Sequence, residues 1–211
     1  VKGDFSLAGI QGFDLKGKTV GGGGAGRIGL HVIKMAKGFG MDVVVYDIKR
    51  DPFLSEVLDF RYVPMAELLG CSDIVSLHVP YMASSHHLMN RDTFRLMKRG
   101  ALLINTAHGG LIDTDALVWA LDEGIVGGAG LDVLEGEDLV KEERQLLEKD
   151  VSKERLVTAL KNNILLHREN VVITPHIAFD SREALQRILE TTVSNIVSFL
   201  HGGPPNVVSG R

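Results

Sequence analysis

Between a short run that ends at Gly23 and an amphipathic run that begins at Arg27, the chain reads Gly24-Ala25-Gly26-Arg27-Ile28-Gly29, a G-x-G-x-x-G. Glycines at this spacing, after a strand and at the head of a helix, suit a turn whose backbone amides face a diphosphate. Gly24 permits the tight turn, Gly26 lets a pyrophosphate approach the backbone, and Gly29 lets the helix lie close to the strand. Arg27 and Ile28 then lie over the pyrophosphate, where the helix N-terminus offers unpaired N–H groups and a partial positive charge. Asp47 ends the next β-branched run. A carboxylate there would accept hydrogen bonds from the hydroxyls of an adenosine ribose and repel a 2′-phosphate, which favours NAD over NADP. A similar loop and acid also serve S-adenosylmethionine, so this stretch alone leaves two ligand classes open.

The rest of the chain alternates β-branched runs with helical ones, the pattern of βαβ units on a parallel sheet. Strands are expected over Thr19–Gly23, Asp42–Tyr46, Arg61–Val63, Asp73–Leu77, Ala101–Asn105, Val126–Leu131 and Val171–Thr174. Helices are expected over Arg27–Phe39, Met65–Leu69, Arg91–Met97, Thr114–Asp122 and Ser181–His201. The fold class is therefore α/β, a doubly wound parallel sheet with a C-terminal helix. Residues 1–180 are expected to form the ligand-binding domain, with 181–211 a helix and tail. Glu135–Asn170 mixes acids and bases and reads as solvated helical faces on an insertion. Leu185, Ile188, Leu189, Val193, Ile196 and Leu200 form one stripe of the last helix, which must cover something.

Composition excludes several alternatives. The net charge of −4 supplies no basic footprint for nucleic acid. No apolar run approaches the roughly 18 residues of a membrane helix. No apolar stretch follows Val1-Lys2-Gly3-Asp4, so no signal peptide is expected and a cytoplasmic location is. Cys71 has no second cysteine to pair with, which suits a reducing compartment, and reads as a small core residue. No metal site is indicated. Glycine is the outlier, at 24 of 211 residues against a typical ~7%. Four are consecutive, Gly21 to Gly24, and the first three fall where a central strand is normally filled by Val and Ile. Lost burial of roughly 1.5–3 kcal/mol and added entropy of about 0.5–1 kcal/mol per position sum, for two positions, to about 4–8 kcal/mol. A weakened first strand is the expectation.

The second half separates the two ligand classes. Leu77-His78-Val79-Pro80, Asn105-Thr106-Ala107-His108-Gly109-Gly110, Gly130-Leu131-Asp132-Val133-Leu134-Glu135-Gly136-Glu137 and Thr174-Pro175-His176-Ile177-Ala178 follow the glycine turn in this order. Together they resemble the D-isomer-specific 2-hydroxyacid dehydrogenases, the D-lactate dehydrogenase branch in particular, from about Phe5 to about Leu200. Methyltransferases do not share the last four segments. The resemblance implies a Rossmann-type NAD-binding domain and reversible hydride transfer between NADH and a small 2-keto acid such as pyruvate. It implies that His176 is the acid–base histidine and Glu137 the carboxylate paired with it, with Glu135 as the alternative partner. A carboxylate beside the ring favours the imidazolium that an acid needs. Asp132 matches a carboxylate near the nicotinamide, and Val79, Pro80, Thr106 and Ala107 match cofactor-lining positions. His86 and His87 read as surface or helix-entry residues. Homodimers are common in the family.

Three departures accompany the resemblance. His108 stands where the family pattern Asn-Thr-Ala-Arg-Gly has arginine. Histidine lacks the two-pronged, permanently charged fork that grips a substrate carboxylate. Loss of such a partner costs about 2–5 kcal/mol, or roughly 30- to 5,000-fold. Asp180 stands where the D-lactate branch usually has tyrosine. An N-terminal substrate domain of on the order of 100 residues is also expected to be missing, which would leave the chain weak or inactive alone and the last helix without its packing surface. A non-catalytic NAD(H)-binding module, or a decayed enzyme, is the alternative reading.

Overall fold

The computed structural model describes residues 12–137, 153–203 and 206. The chain divides into two compact units, residues 1–175 and 176–211.

In the first unit seven strands form one sheet among the described residues. They are β1 (Thr19–Gly23), β2 (Asp42–Tyr46), β3 (Arg61–Tyr62), β4 (Ile74–Leu77), β5 (Ala101–Asn105), β6 (Val126–Leu131) and β7 (Val171–Ile173). Every pairing is parallel, in the order β3-β2-β1-β4-β5-β6-β7. The chain builds outward from β1 to β3, then crosses back to lay β4 on the other side of β1. Reversal of strand order opens a crevice at the carboxyl ends of β1 and β4, the usual ligand position of such sheets.

The pleat sends alternate residues to opposite faces. Val43 and Val45 join Val20, Ile33 and Ala36 in one core. Val44 joins Leu68, Val75, Leu77 and Leu103 in the other. Helix α1 (Arg27–Gly38) buries Gly29, Ile33 and Ala36, spaced four and three residues apart on one stripe. Short helices α2 (Pro52–Val57), α3 (Met65–Cys71) and α4 (Arg91–Arg95) follow, then α5 (Thr114–Asp122). Helix α2 has no periodic apolar run; it starts because the Asp51 carboxylate accepts the N–H of Phe53 and of Leu54, with Pro52 in the first turn. The charged stretch yields α6 (Lys153–Leu166). It is not wholly solvated, because Asn162 and Leu165 are buried and Lys161 reaches Asp115 at 2.9 Å. Residues 138–152 of that stretch lie outside the described residues.

The glycine-filled strand is complete. Thr19–Gly23 pairs residue by residue with β2, and Val20–Gly23 with β4. A Cβ on Gly21 would sit 2.3 Å from Ser72 Oγ and 2.6 Å from Leu68 Cδ2. The room left by the absent side chain is therefore taken by α3, and both neighbours are fully buried. The expected loss of burial at Gly21 is made good from the opposite side. Cys71 is a further correction: it lies at the exposed end of α3, not in the core, with its thiol directed at Leu68 O.

The second unit carries α7 (Arg182–Leu200), capped by Ser181 Oγ, which accepts the Ala184 N–H at 3.2 Å. No residue of α7 is buried, and Leu185, Ile188, Leu189, Val193, Ile196 and Leu200 are all exposed. No helix among the described residues is long and apolar enough to cross a membrane.

Candidate functional site

The glycine turn leaves the carboxyl end of β1 and enters α1. Gly24 has φ +102°, a conformation that favours glycine, and a Cβ there would lie 2.9 Å from His78 O. Gly29 approaches the turn so closely that its Cβ would lie 2.2 Å from Gly24 O. Gly26, the N-cap residue, has nothing within 4 Å of an added Cβ, and no side chain caps the helix. Gly26, Arg27 and Ile28 are exposed. An open backbone, an uncapped helix start and no acid in the first turn suit a diphosphate, so the residues present fit a dinucleotide. Asp47 lies beside the turn: its Oδ2 accepts the Ala25 N–H at 2.7 Å and its Oδ1 the Lys49 N–H at 2.8 Å. The half-buried carboxylate thus braces the turn from below.

Three further turns meet at the same sheet edge. After β4, His78 is held by Ser76 Oγ at 2.9 Å, and burial lowers its pKa. Val79 packs against Gly24, 3.2 Å from the position of an added Cβ. Pro80 follows, exposed. After β5, Asn105 is fully buried and folds the next residues around itself: its Oδ1 accepts from Ala107 N at 3.1 Å and its Nδ2 donates to His108 O at 2.9 Å. Thr106 and His108 point outward and Ala107 is half-buried. The His108 ring lies 6.4 Å from that of Tyr81, which packs on Gly110. After β6, Asp132 is buried and its Oδ1 accepts from Thr174 Oγ1 at 2.5 Å, so it anchors the segment that follows β7. Gly109 lies against this third turn, where an added Cβ would overlap Leu134 O.

Glu135 and Glu137 behave differently. The Glu135 carboxylate accepts from His87 Nε2 at 2.6 Å and from Thr114 Oγ1 at 2.9 Å. Burial pushes this carboxyl up, but the bonds from His87 and Thr114 outweigh it and hold the group below its ordinary range. His87 is therefore no simple surface residue; it is half-buried and hydrogen-bonded to Glu135. Glu137 is half-buried at the end of the same turn. His176 opens the second unit. It is exposed, with φ +58°, and its ring lies 6.4 Å edge-on from Phe179. The first unit thus gathers the glycine turn, Asp47, Val79, Thr106–His108 and Asp132 along the carboxyl ends of its strands, with His176 in the second. Sequence reasoning overlooked Asn105, Tyr81 and His87 as parts of this edge. Asn105 stood inside a segment of interest, but no spacing rule marks the other two.

Residues 1–178 match the D-isomer-specific 2-hydroxyacid dehydrogenase, NAD-binding domain, family. Among similar proteins, 2-hydroxyacid dehydrogenase homolog 2 of Schizosaccharomyces pombe is 43% identical over 197 residues, covering 93% of this chain and 57% of the relative. A glyoxylate reductase of Korarchaeum cryptofilum is 41% identical over 202 residues, covering 95% of this chain and 54% of its own length. Among solved structures, D-lactate dehydrogenase from Aquifex aeolicus, complexed with NAD and lactic acid, superposes with a TM-score of 0.84 at 40% identity. That match covers 94% of this chain and 58% of the other. The chain thus spans little more than half the length of these relatives. It belongs to the D-isomer-specific 2-hydroxyacid dehydrogenase family, of which it carries the NAD-binding domain.

Proposed function

We propose that this chain serves hydride transfer between NADH and a small 2-keto acid, pyruvate being the first to try. The observation that carries the reading is the open, uncapped turn Gly24–Gly29 at the sheet's switch point, braced by Asp47. Gly26, Arg27 and Ile28 would hold the pyrophosphate by their amides, and Asp47 would receive the adenosine ribose. Val79, Pro80, Thr106 and Ala107 would line the nicotinamide half, with Asp132 near the ring. When bound, the dinucleotide supplies the hydride that reaches the carbonyl carbon. His176 delivers the proton to the carbonyl oxygen, and Glu137 favours the imidazolium that donates it. Both Glu135 oxygens accept from His87 and Thr114, which supports Glu137 as that partner. His108 takes the place of the residue that faces the substrate carboxylate. We further propose that 1–180 is the cofactor domain, that 181–211 returns to a substrate domain, that two copies pair, and that the protein works in the cytoplasm.

A second reading has a specific observation behind it. His108 is exposed and lacks a guanidinium fork, which suits an NAD(H)-binding module without turnover. NADH fluorescence titration beside a pyruvate-reduction assay, on the chain and on His108→Arg, separates the two. The dehydrogenase reading expects NADH binding in both and a gain in reduction of about 30-fold or more on adding the fork. Reduction gained on adding the fork excludes the module, and no binding in either refutes both.

A further inference from the structure

We infer that His87 and Glu135 form a positioning pair, which locks the turns after β4, β5 and β6 into one rigid site edge; the inference rests on the cofactor reading above. Glu135 carries only acceptors when ionised, so His87 Nε2 must be the donor across their 2.6 Å contact. The second carboxylate oxygen takes Thr114 Oγ1 at 2.9 Å and lies 3.4 Å from Thr114 N, in the first turn of α5, where a negative charge is favoured. The Glu135 backbone is held as well, its carbonyl accepting Asn162 Nδ2 from α6 at 2.8 Å.

His87 is committed from its own side. Its N–H donates to Gly110 O at 2.9 Å, and two residues on Met89 N donates to Leu111 O at 2.9 Å. These bonds fasten the β4 turn to the β5 turn. The residue has φ +50°, a conformation an L side chain rarely adopts without support from its surroundings. Gly109 closes the triangle, with no space for a Cβ against Leu134 O of the β6 turn. Each of the three turns bears residues assigned to the site: Val79 and Pro80, Thr106 to His108, and Asp132 with Glu137. The bonds of His87 and Glu135 run to each other and to Thr114, Asn162, Asn90 and Gly110, none of which is assigned to the ligand. They act by fixing the backbones of the residues that are.

The test uses the full chain with Glu135→Ala, Glu135→Gln and His87→Phe. Amide hydrogen exchange by mass spectrometry is read over segments 79–90, 105–112 and 132–137, together with NADH affinity by fluorescence. The pair predicts that Glu135→Ala and His87→Phe raise exchange about tenfold in all three segments while α1 and β1 keep their protection. NADH affinity falls about tenfold alongside. Glu135→Gln, whose oxygen still accepts from Thr114 while its amide NH2 can donate to the other tautomer of His87, stays within about threefold of the parent on both measures. Should Glu135→Ala fail to fold, His87→Phe decides by the same readouts. Exchange that rises only beside the substituted residue, or rises uniformly over the sheet, overturns the pairing, as does a Glu135→Gln protein no better than Glu135→Ala. A parent chain that binds no NADH refutes the cofactor reading instead, and the exchange pattern still decides the pair.

Discussion

Alanine at Gly21 and at Gly22 should move stability in opposite directions. The two glycines are neighbours on β1 and face opposite sides of the sheet. At Gly21 a methyl group would sit 2.3 Å from Ser72 Oγ, with Leu68 Cδ2 at 2.6 Å and Cγ at 2.8 Å. Leu68 is fully buried, so it has nowhere to retreat, and Ser72 Oγ donates to Leu68 O at 2.6 Å. Overpacking of this kind costs about 1–3 kcal/mol, while loss of the glycine's unfolded-state freedom returns about 0.4–1 kcal/mol. The net is a destabilisation of about 1–2 kcal/mol, or a fall in Tm of roughly 2–8 °C for a chain of this size. At Gly22 the nearest atom is Val45 Cγ2 at 3.5 Å, an ordinary contact. The entropic gain stands there alone, and Tm should rise by roughly 1–4 °C. Urea and thermal unfolding of both variants provide the assay. A third protein sharpens it: with Leu68→Ala in place, Gly21→Ala should destabilise less, because the overlap with Leu68 is gone and only that with Ser72 Oγ remains. Equal effects of the two alanines, or a stabilising Gly21→Ala, would refute the idea that α3 fills the strand's missing volume.

Further outcomes follow from the site edge. Gly29→Ala forces a Cβ onto Gly24 O and should cost at least about 2 kcal/mol while abolishing NADH binding; unfolding curves and fluorescence titration read both. Burial depresses the His78 pKa, so the unfolded chain binds the extra proton first. Its contribution to stability is present above about pH 6.5 and is lost as pH falls through the lower folded value; His78→Gln should flatten that part of a urea midpoint-versus-pH curve. Asp73 is held below its ordinary range by the Lys98 hydrogen bond and then by the Thr19 N–H. Its contribution is full above about pH 3.9 and disappears on further acidification, so Asp73→Asn should remove the acid limb that remains below pH ~4.

Much of the sheet could be read directly because its runs are bounded on both sides. Thr19–Gly23, Asp42–Tyr46, Ala101–Asn105, Val126–Leu131 and the helix Thr114–Asp122 begin and end where expected. Glycines and aspartates such as Gly17, Gly24, Gly40, Asp47, Gly100, Asp113 and Gly124 punctuate those segments. Helix α2 escaped because a cap, and not a stripe, starts it. Buried α6 positions such as Asn162 escaped because charges crowd around them. The glycine turn was legible since its chemistry is local. His87 was not: its importance comes from Glu135, 48 positions away, and a contact of that separation leaves no trace in spacing. Distance along the chain likewise hid the bond that Glu135 accepts from Thr114 Oγ1.

Asp47 has one more consequence, for anyone redesigning coenzyme preference. Its carboxylate props up the Ala25 amide as well as standing where the ribose is proposed to lie. Replacing it by a small neutral residue to admit the phosphorylated coenzyme would also remove the strut beneath the loop. A successful swap therefore needs a second substitution that supplies a new acceptor for that amide.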